Sequence, residues 1–309
     1  MLYDENVTHL QEAVERHRFI RNIRYHRLPD GTLDYAGNRK VWERATEDLI
    51  KTPLGPTGAW FAFVPVETGA ERTEEIRKRG TILIAHGGGF NWRTGCEAGN
   101  AAWYFHRRGF NTAILSYRLQ PVPRIDSMRD MQQAIRLLRI RQDEFGISDR
   151  IAVMGFSAGG MLAGNCATHF GEEFSESGLS DRPDAVVIGY GAMSCVSFPR
   201  PFPAADYSAE ELAFWGRTEE ERYYLAPEKN IRPDTPPMFI WQTLSEPGAF
   251  GMTLAKSLED AKVPYELHIF SEGSHGICLA DGENDLGENN PHVSHWAELC
   301  AEWLHRQNI

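Results

Sequence analysis

The chain has 309 residues, enough to bury one sizeable core, and its 42% hydrophobic and 24% charged residues are ordinary for a globular protein. Its 43 acidic residues outnumber its 32 basic ones and give a formal charge of −11, which repels phosphate backbones and anionic lipid surfaces. These values exclude wholesale disorder and argue against a nucleic-acid partner.

Targeting segments and covalent cross-links leave no signature in the sequence. Residues 1–10 carry charged and polar side chains where a secretory signal needs an apolar run, and no stretch approaches the roughly 20 apolar residues that span a bilayer. We therefore expect a cytoplasmic protein without a membrane span.

The five cysteines are far apart and form no Cys-x-x-Cys pair, which predicts reduced thiols rather than disulfides or a zinc site.

The first fifty residues precede the regular pattern of the rest. A predicted helix at Asn6–Arg21 is followed by a Pro29-Asp30-Gly31 turn, without a Pro- or Ser-rich linker. We predict that residues 1–50 form an extension packed on a main domain of residues 51–309. The apolar run Gly58–Val64 predicts an antiparallel edge strand in the sheet of that domain.

From Thr81 onward, short apolar or β-branched runs alternate with helical stretches, which is typical of a parallel sheet covered by helices. The predicted strands are Thr81–Ala85, Asn111–Tyr117, Arg150–Met154, Ala185–Tyr190, Met238–Trp241 and Tyr265–Phe270. The predicted helices are Glu97–Arg108, Ser127–Phe145, Ala158–Phe170, Gly251–Lys262 and His292–Arg306. The fold class is therefore α/β, with a mostly parallel central sheet flanked by helices.

Residues 192–234 interrupt this pattern and are rich in proline and aromatic residues. An apolar but irregular insertion between late strands predicts a cap over a substrate pocket, to which Trp215 would contribute; the alternative is a satellite core under a long loop. The aromatic residues of the segment are Phe198, Phe202, Tyr207, Phe214, Trp215, Tyr223 and Tyr224.

A sharp strand-to-helix turn is predicted at Ser157. The run Gly155-Phe156-Ser157-Ala158-Gly159-Gly160 follows a predicted strand and opens the next helix, and its small residues relieve the crowding of such a turn. Serine needs a base within hydrogen-bond reach. His275 follows the strand Tyr265–Phe270, which puts it at the same carboxyl edge of the sheet. We therefore predict Ser157 as a nucleophile and His275 as its general base.

A glycine-rich run, His86-Gly87-Gly88-Gly89-Phe90, follows the first predicted strand of the parallel sheet. Glycines let the backbone approach a substrate and turn its N–H groups toward an oxyanion. The predicted donors are the N–H groups of Gly88, Gly89 and Ala158. We expect His86 to brace this loop, and Phe90 and Trp92 to wall the substrate pocket.

Four segments together resemble the α/β-hydrolase superfamily: His86–Phe90, Tyr117-Arg118-Leu119, Gly155–Gly160 and Gly273–Gly276. The sequence is most similar to bacterial esterase/lipase-like proteins that include feruloyl- and acetyl-xylan-esterase relatives, with hormone-sensitive-lipase-type esterases next. The likeness covers about Gly58–Trp303. It implies a Ser–acid–His triad in chain order, a backbone oxyanion hole, no metal or other cofactor, and hydrolysis of carboxylic esters.

The sequence departs from the pattern of these families at the acid. They carry an Asp after the strand equivalent to Met238–Trp241, whereas this chain continues as Gln242-Thr243-Leu244-Ser245-Glu246-Pro247-Gly248. Glu246 is the only carboxylate at that place, and its extra methylene requires the loop to sit further back. We predict Glu246 as the acid and keep Asp281 and Asp285 as alternatives. A solvated Glu246 beside a Ser–His dyad is the other interpretation.

These features favour a serine carboxylic-ester hydrolase that acts through an acyl-enzyme on a small or medium ester, with acetylated or aromatic-acylated carbohydrates as candidates. An arylformamidase-like amidase or a peptidase on the same triad stays open, as does a non-catalytic ligand-binding homologue. The spacing of His292 and His295 would suit a metal, but no third ligand is evident. A small-molecule ester is the expected partner, and the sequence leaves homo-oligomerisation open.

Overall fold

The computed structural model describes residues 3–20, 28–30, 34–66, 79–172, 177–192, 194–197, 212, 214–284 and 286–309. The strands are β1 (Thr52–Pro53), β2 (Trp60–Val64), β3 (Thr81–Ala85), β4 (Asn111–Ser116), β5 (Ile151–Phe156), β6 (Ala185–Gly189), β7 (Met238–Thr243) and β8 (Tyr265–Phe270). The helices are α1 (Glu5–Ile20), α2 (Tyr35–Ala45), α3 (Ala101–His106), α4 (Arg124–Ile140), α5 (Gln142–Phe145), α6 (Ala158–Thr168), α7 (Glu219–Tyr224), α8 (Ala249–Asp260) and α9 (Pro291–Arg306).

All eight strands form one sheet in the order β1-β2-β4-β3-β5-β6-β7-β8. The pairs β1–β2 and β2–β4 are antiparallel, and the pairs from β4 to β8 are parallel. The predicted α/β class with a mostly parallel sheet is therefore confirmed. Because the six parallel strands share one direction, their carboxyl ends meet at a single edge, where open sheets of this kind place their sites.

The central strand β3 is buried along its whole length, which explains its unbroken apolar sequence. Ile82 and Ile84 face a core cluster that includes side chains of α1, α3 and α9. Leu83 and Ala85 face the opposite cluster, which includes side chains of α4, α6 and α8. Successive side chains of a strand point to opposite faces, so the two clusters are the two halves of one core divided by the sheet.

The sequence located every parallel strand, with identical bounds for β3 and β8 and ends shifted by one or two residues in the others. Two elements require correction. Trp60–Val64 is antiparallel, as predicted, but the edge is formed by Thr52–Pro53, which pairs outside it. The helix predicted over Ser127–Phe145 begins earlier, at Arg124, and is divided at Arg141 into α4 and α5.

Much of the predicted cap lies outside the described residues, among them Phe198, Phe202 and Tyr207. Of the rest, Phe214 and Trp215 are partly buried and pack against the core cluster on the α4 side of the sheet. The cap therefore stays a prediction. Among the helices of the described ranges, none combines the length and apolar character that crossing a bilayer requires.

Helix α1 is fastened to the sheet by a buried amide. Asn6 donates through Nδ2 to the carbonyl oxygens of Phe63 (2.7 Å) and Ile50 (3.1 Å), and its Oδ1 accepts the N–H of Ile50 at 2.7 Å. Val7, Leu10 and Val14 of the same helix join the core cluster. The division of the chain into an extension and a main domain at residue 50 stays a prediction.

Removing this amide should destabilise the fold. Asn6→Ala removes the bonds to the backbone of the partly buried Ile50 and to the buried carbonyl oxygen of Phe63, and we expect the free energy of unfolding to fall by about 2–4 kcal/mol. Urea denaturation measures the loss. The control is Gln11→Ala on the same helix, where an exposed side chain bonds Glu15 and the change should stay within about 0.5 kcal/mol. Equal effects of the two variants would contradict this role of Asn6.

Candidate active site

Ser157 lies on the turn between β5 and α6 with φ 53° and ψ −121°, a conformation that residues other than glycine rarely adopt. The turn closes tightly because Gly155 and Gly159, two residues before and two residues after Ser157, lack side chains. A Cβ on Gly155 would lie 2.0 Å from the carbonyl oxygen of Gly159, and one on Gly159 would lie 2.4 Å from that of Ala85. The Ser157 N–H donates to Gly189 O of β6 at 2.9 Å, which fixes the turn to the neighbouring strand.

His275 lies on the loop that follows β8 and reaches the serine. Its Nε2 is 2.8 Å from Ser157 Oγ. Gly273 and Gly276 flank it with φ of 101° and 85°, so the loop turns sharply on both sides of the histidine. The ring packs against Tyr190 at 5.0 Å between centroids, and its side chain is 40% exposed. The histidine is thus held by the protein on one side and open to solvent on the other.

Glu246 completes the arrangement from the loop after β7. Its Oε1 accepts a hydrogen bond from Nδ1–H of His275, and its side chain is only 8% exposed. This contact assigns the Nδ1–H tautomer, which leaves Nε2 to accept the serine proton. The structure brings Glu246 to the histidine. Asp281 instead lies on a bridge with Asn289, where it accepts the N–H of Glu283 at 2.9 Å, and Asp285 lies outside the described residues.

Gln242 supports the loop that carries this glutamate, and the sequence did not indicate it. β7 runs two residues beyond its predicted end, so the buried side chain of Gln242 belongs to the strand. It donates to Pro247 O at 3.1 Å and accepts the N–H of Gly251 at 2.8 Å. Gln242, which precedes Glu246, is therefore bonded to two residues that follow it, and these bonds hold the loop between them.

Burial and nearby charges act on His275 in opposite directions. Desolvation by the surrounding protein lowers the pKa of His275, whereas the hydrogen bond to Glu246 and the charges of Glu246 and Glu97 raise it. The net effect is a pKa above the ordinary value of 6.5. Glu246 therefore favours the Nδ1–H tautomer of the neutral ring and also stabilises the protonated ring.

The glycine-rich loop after β3 carries two of the three backbone N–H groups that are predicted to meet an oxyanion. Gly88 has φ 106°, and a Cβ there would lie 2.2 Å from the carbonyl oxygen of Trp92. Within the described ranges, no protein acceptor takes the N–H of Gly88 or Gly89. Ala158 is the first residue of α6, so its N–H belongs to the donors that a helix leaves unpaired at its start. These are the three N–H groups that the sequence predicts for the oxyanion.

His86 supports the loop from beneath. The fully buried ring stacks on Tyr117 at 4.2 Å and contacts Trp42 at 5.1 Å. Its Nδ1–H donates to Gly87 O at 2.6 Å, and the Tyr117 hydroxyl donates to its carbonyl oxygen at 2.9 Å. Burial, followed by the charge of Arg93, lowers the pKa of His86 well below its usual value, so the ring is a neutral brace.

The predicted pocket residues lie in different surroundings. Phe90 adopts φ 62°, which turns its ring into the core against Tyr117 and Phe214, and only 2% of the residue is exposed. Trp215 packs on Phe214 at 4.7 Å, and Trp92 is partly exposed. Their contribution to substrate binding stays a prediction.

The two histidines with metal-like spacing contact each other, since His295 Nδ1–H donates to the carbonyl oxygen of His292 at 3.1 Å. Across the described ranges, no group of three or more His, Cys, Asp or Glu side chains is arranged to hold a metal ion. No residue set therefore stands out as a metal centre in that part of the chain.

The sequence also matches a known family. Residues 71–247, more than half of the chain, match the BD-FAE family. The chain belongs to the BD-FAE family. A curated relative, endo-1,4-beta-xylanase B of Butyrivibrio fibrisolvens, is 29% identical over 239 residues. The match covers 73% of this BD-FAE member and 36% of the relative. The chain thus spans little more than a third of the length of that relative.

Solved structures agree with this membership. The acetyl ester-xyloside bifunctional hydrolase of Caldicellulosiruptor lactoaceticus is 26% identical, with a TM-score of 0.67 over 84% of this chain and 92% of that one. The carboxylesterase Cest-2923 of Lactobacillus plantarum is 21% identical, with a TM-score of 0.67 over 84% and 98%. The resemblance to the α/β-hydrolase superfamily is confirmed, and this BD-FAE member is an enzyme of the α/β-hydrolase kind.

The contact between Glu246 and His275 can be tested without substrate. Glu246→Gln removes the negative charge and replaces the carboxylate acceptor by a neutral amide, so the pKa of His275 should fall below its wild-type value. NMR titration of the ring Hε1 signal, assigned with His275→Ala, measures the change. Asp281→Asn should leave the pKa unchanged. The reverse ranking would move the acid to the loop after His275.

Proposed function

We propose that the chain is a serine carboxylic-ester hydrolase that acts through an acyl-enzyme. The observation that carries the proposal is the unbroken series of contacts from Glu246 through His275 to Ser157, with Ser157 Oγ 2.8 Å from His275 Nε2. Nucleophile, base and orienting acid are the three parts that activate a serine. The N–H groups of Gly88, Gly89 and Ala158 supply the fourth part, a site for negative charge.

In the first half of the reaction, His275 Nε2 takes the proton of Ser157 as Oγ attacks the ester carbonyl carbon. The carbonyl oxygen becomes an oxyanion and accepts hydrogen bonds from the backbone N–H groups of Gly88, Gly89 and Ala158. Glu246 holds the imidazolium through Nδ1–H. The tetrahedral intermediate then collapses, the bond to the alcohol oxygen breaks, and His275 returns its proton to the leaving alcohol.

In the second half, His275 takes a proton from water, whose oxygen attacks the acyl carbon of the Ser157 ester. The oxyanion forms at the same N–H groups. Its collapse breaks the bond to Oγ, and the proton on His275 returns to the serine as the carboxylic acid leaves. His275 must activate water in this second half, and the side of its ring that is open to solvent gives water access to it.

The names of similar proteins favour an ester of a carbohydrate as substrate. One is an acetyl ester-xyloside hydrolase at 26% identity, and another is a xylanase whose length the chain covers only in part. An acetylated sugar is therefore the first substrate to test, with an aromatic-acylated sugar next.

A covalent probe tests the nucleophile and the reaction together. A fluorophosphonate should label the wild-type protein, and Ser157→Ala should abolish both labelling and hydrolysis of p-nitrophenyl acetate and acetylated xylo-oligosaccharides. His275→Ala should reduce turnover to near the detection limit. Turnover of matched formamide or peptide substrates above that of the ester would exclude the esterase assignment, and an unlabelled wild type would exclude the serine mechanism.

The acid should affect the rate as well as the pKa. The base must be neutral to accept a proton, so kcat/KM should decline as the pH falls through a value above 6.5, in line with the raised pKa of His275. In Glu246→Gln the acidic limb should move to lower pH, while kcat at its plateau falls at least about tenfold, about 1.4 kcal/mol of transition-state stabilisation. A full pH profile of wild type and variant separates the two effects. A plateau kcat of wild-type size would contradict the role of Glu246.

A further inference from the structure

A buried carboxylate lies beneath the glycine-rich loop. Glu97 belongs to the π-helical turn Cys96–Asn100 before α3 and is 2% exposed. Its Oε2 accepts the N–H of Gly87 at 3.0 Å and the hydroxyl of Thr94, and its Oε1 accepts the hydroxyl of Tyr190 at 2.7 Å. Three donors therefore converge on one carboxylate, one of them from the loop that carries the oxyanion donors.

The same carboxylate reaches the histidine through Tyr190. The Tyr190 hydroxyl oxygen accepts the N–H of Cys278 at 3.1 Å, three residues after His275, and the Tyr190 ring packs on the imidazole. Tyr190 follows β6 directly, and Gly189 before it accepts the N–H of Ser157. One set of hydrogen bonds thus joins the glycine-rich loop, the end of β6 and the histidine loop.

The backbone is built to admit this carboxylate. A Cβ on Gly87 would lie 2.3 Å from Glu97 Oε2, so the first glycine of the run is required for the approach of the acid. Burying a carboxylate is unfavourable unless hydrogen bonds replace those that it makes to water. The three donors meet this need. An amide of the same size would turn an NH2 group toward one of them.

We propose that Glu97 is a positioning residue for the reaction proposed above, holding the oxyanion loop at Gly87 and, through the Tyr190 hydroxyl, the loop of His275. Gly87 directly precedes Gly88. The hydrogen bond from the Gly87 N–H to Glu97 therefore influences the direction of the N–H groups that meet the oxyanion. Small displacements of such donors weaken transition-state stabilisation far more than substrate binding. Loss of Glu97 should therefore lower kcat more than it changes KM.

The charge of Glu97 adds a second effect. The titratable groups that face His275 are Glu246 at Nδ1 and Tyr190 on the ring, with Glu97 behind Tyr190. Burial, followed by the charge of Glu97, raises the pKa of Tyr190 well above 10, so the phenol stays protonated. Burial likewise raises the pKa of the Cys278 thiol. Glu97 and Glu246 are thus the two anions whose removal should lower the pKa of His275.

Glu97→Gln tests the proposal against a matched control. We expect kcat to fall at least tenfold, KM to stay within threefold, and the pKa of His275 to move to a lower value in both the kcat/KM profile and the NMR titration. The control is Asp181→Asn, which alters another carboxylate that is 2% exposed, bonds Arg136 and accepts a backbone N–H at 2.8 Å. Asp181 precedes the amino end of β6, so its loss should lower the melting temperature but leave kcat and the His275 pKa at wild-type values.

Tyr190→Phe provides a second test, which also serves if the Glu97→Gln variant does not fold. This variant keeps the ring on His275 but cuts the link to Cys278, and kcat should again fall with KM retained. In the double variant the two losses should be less than additive, because both changes break the same series of contacts. The proposal would be overturned if Glu97→Gln kept the wild-type kcat and His275 pKa. It would also be overturned if the losses in the double variant were fully additive, or if Asp181→Asn changed kcat and the His275 pKa as much as Glu97→Gln does. The NMR titration of His275 needs no substrate. It therefore tests the role of Glu97 even if the protein hydrolyses no ester and the proposed reaction is wrong.

Discussion

The backbone at Ser157 sets the position of every other group in the site. A non-glycine residue at positive φ costs about 1–3 kcal/mol and persists only where the surroundings enforce it. Here the backbone packs so closely at Gly155 and Gly159 that neither position has room for a Cβ. The hydrogen bond from the Ser157 N–H to the carbonyl oxygen of Gly189 fixes the turn to β6. The turn places Ser157 at the carboxyl ends of the parallel strands. His275 and Glu246 can therefore reach it from the loops that follow β8 and β7 at the same edge.

Each partner arrives on a loop that is itself clamped. Gln242 holds the loop of Glu246, Tyr117 and His86 hold the glycine-rich loop, and Tyr190 contacts the histidine loop. These supports are buried and come from strands or from residues directly after them. Rigid elements locate a side chain more precisely than free loops do, so the sheet provides the accuracy that the chemistry requires.

Features set by close local contacts were predictable from the sequence. The Gly-x-Ser-x-Gly turn and the apolar run of β3 are governed by neighbouring residues, so pattern and structure agree. Thr52–Pro53 was missed because two residues carry no periodicity, and the break at Arg141 interrupts a run whose apolar spacing continues into Phe145. Phe90 has a positive φ and a ring packed in the core, which residue type alone does not reveal, and its place at a pocket wall stays a prediction.

Glu97 marks the limit of such reasoning. Its partners are Gly87, Thr94 and Tyr190, and the last is 93 residues away in the chain, so no local spacing marks the carboxylate as special. The two acids near His275 also differ in how they act. Glu246 touches the imidazole and selects its tautomer, whereas Glu97 is separated from it by a neutral phenol and influences it through charge and loop position. A second carboxylate in direct contact would compete with Ser157 for the imidazole, whereas one behind Tyr190 adds negative charge near the imidazolium without offering it a second acceptor.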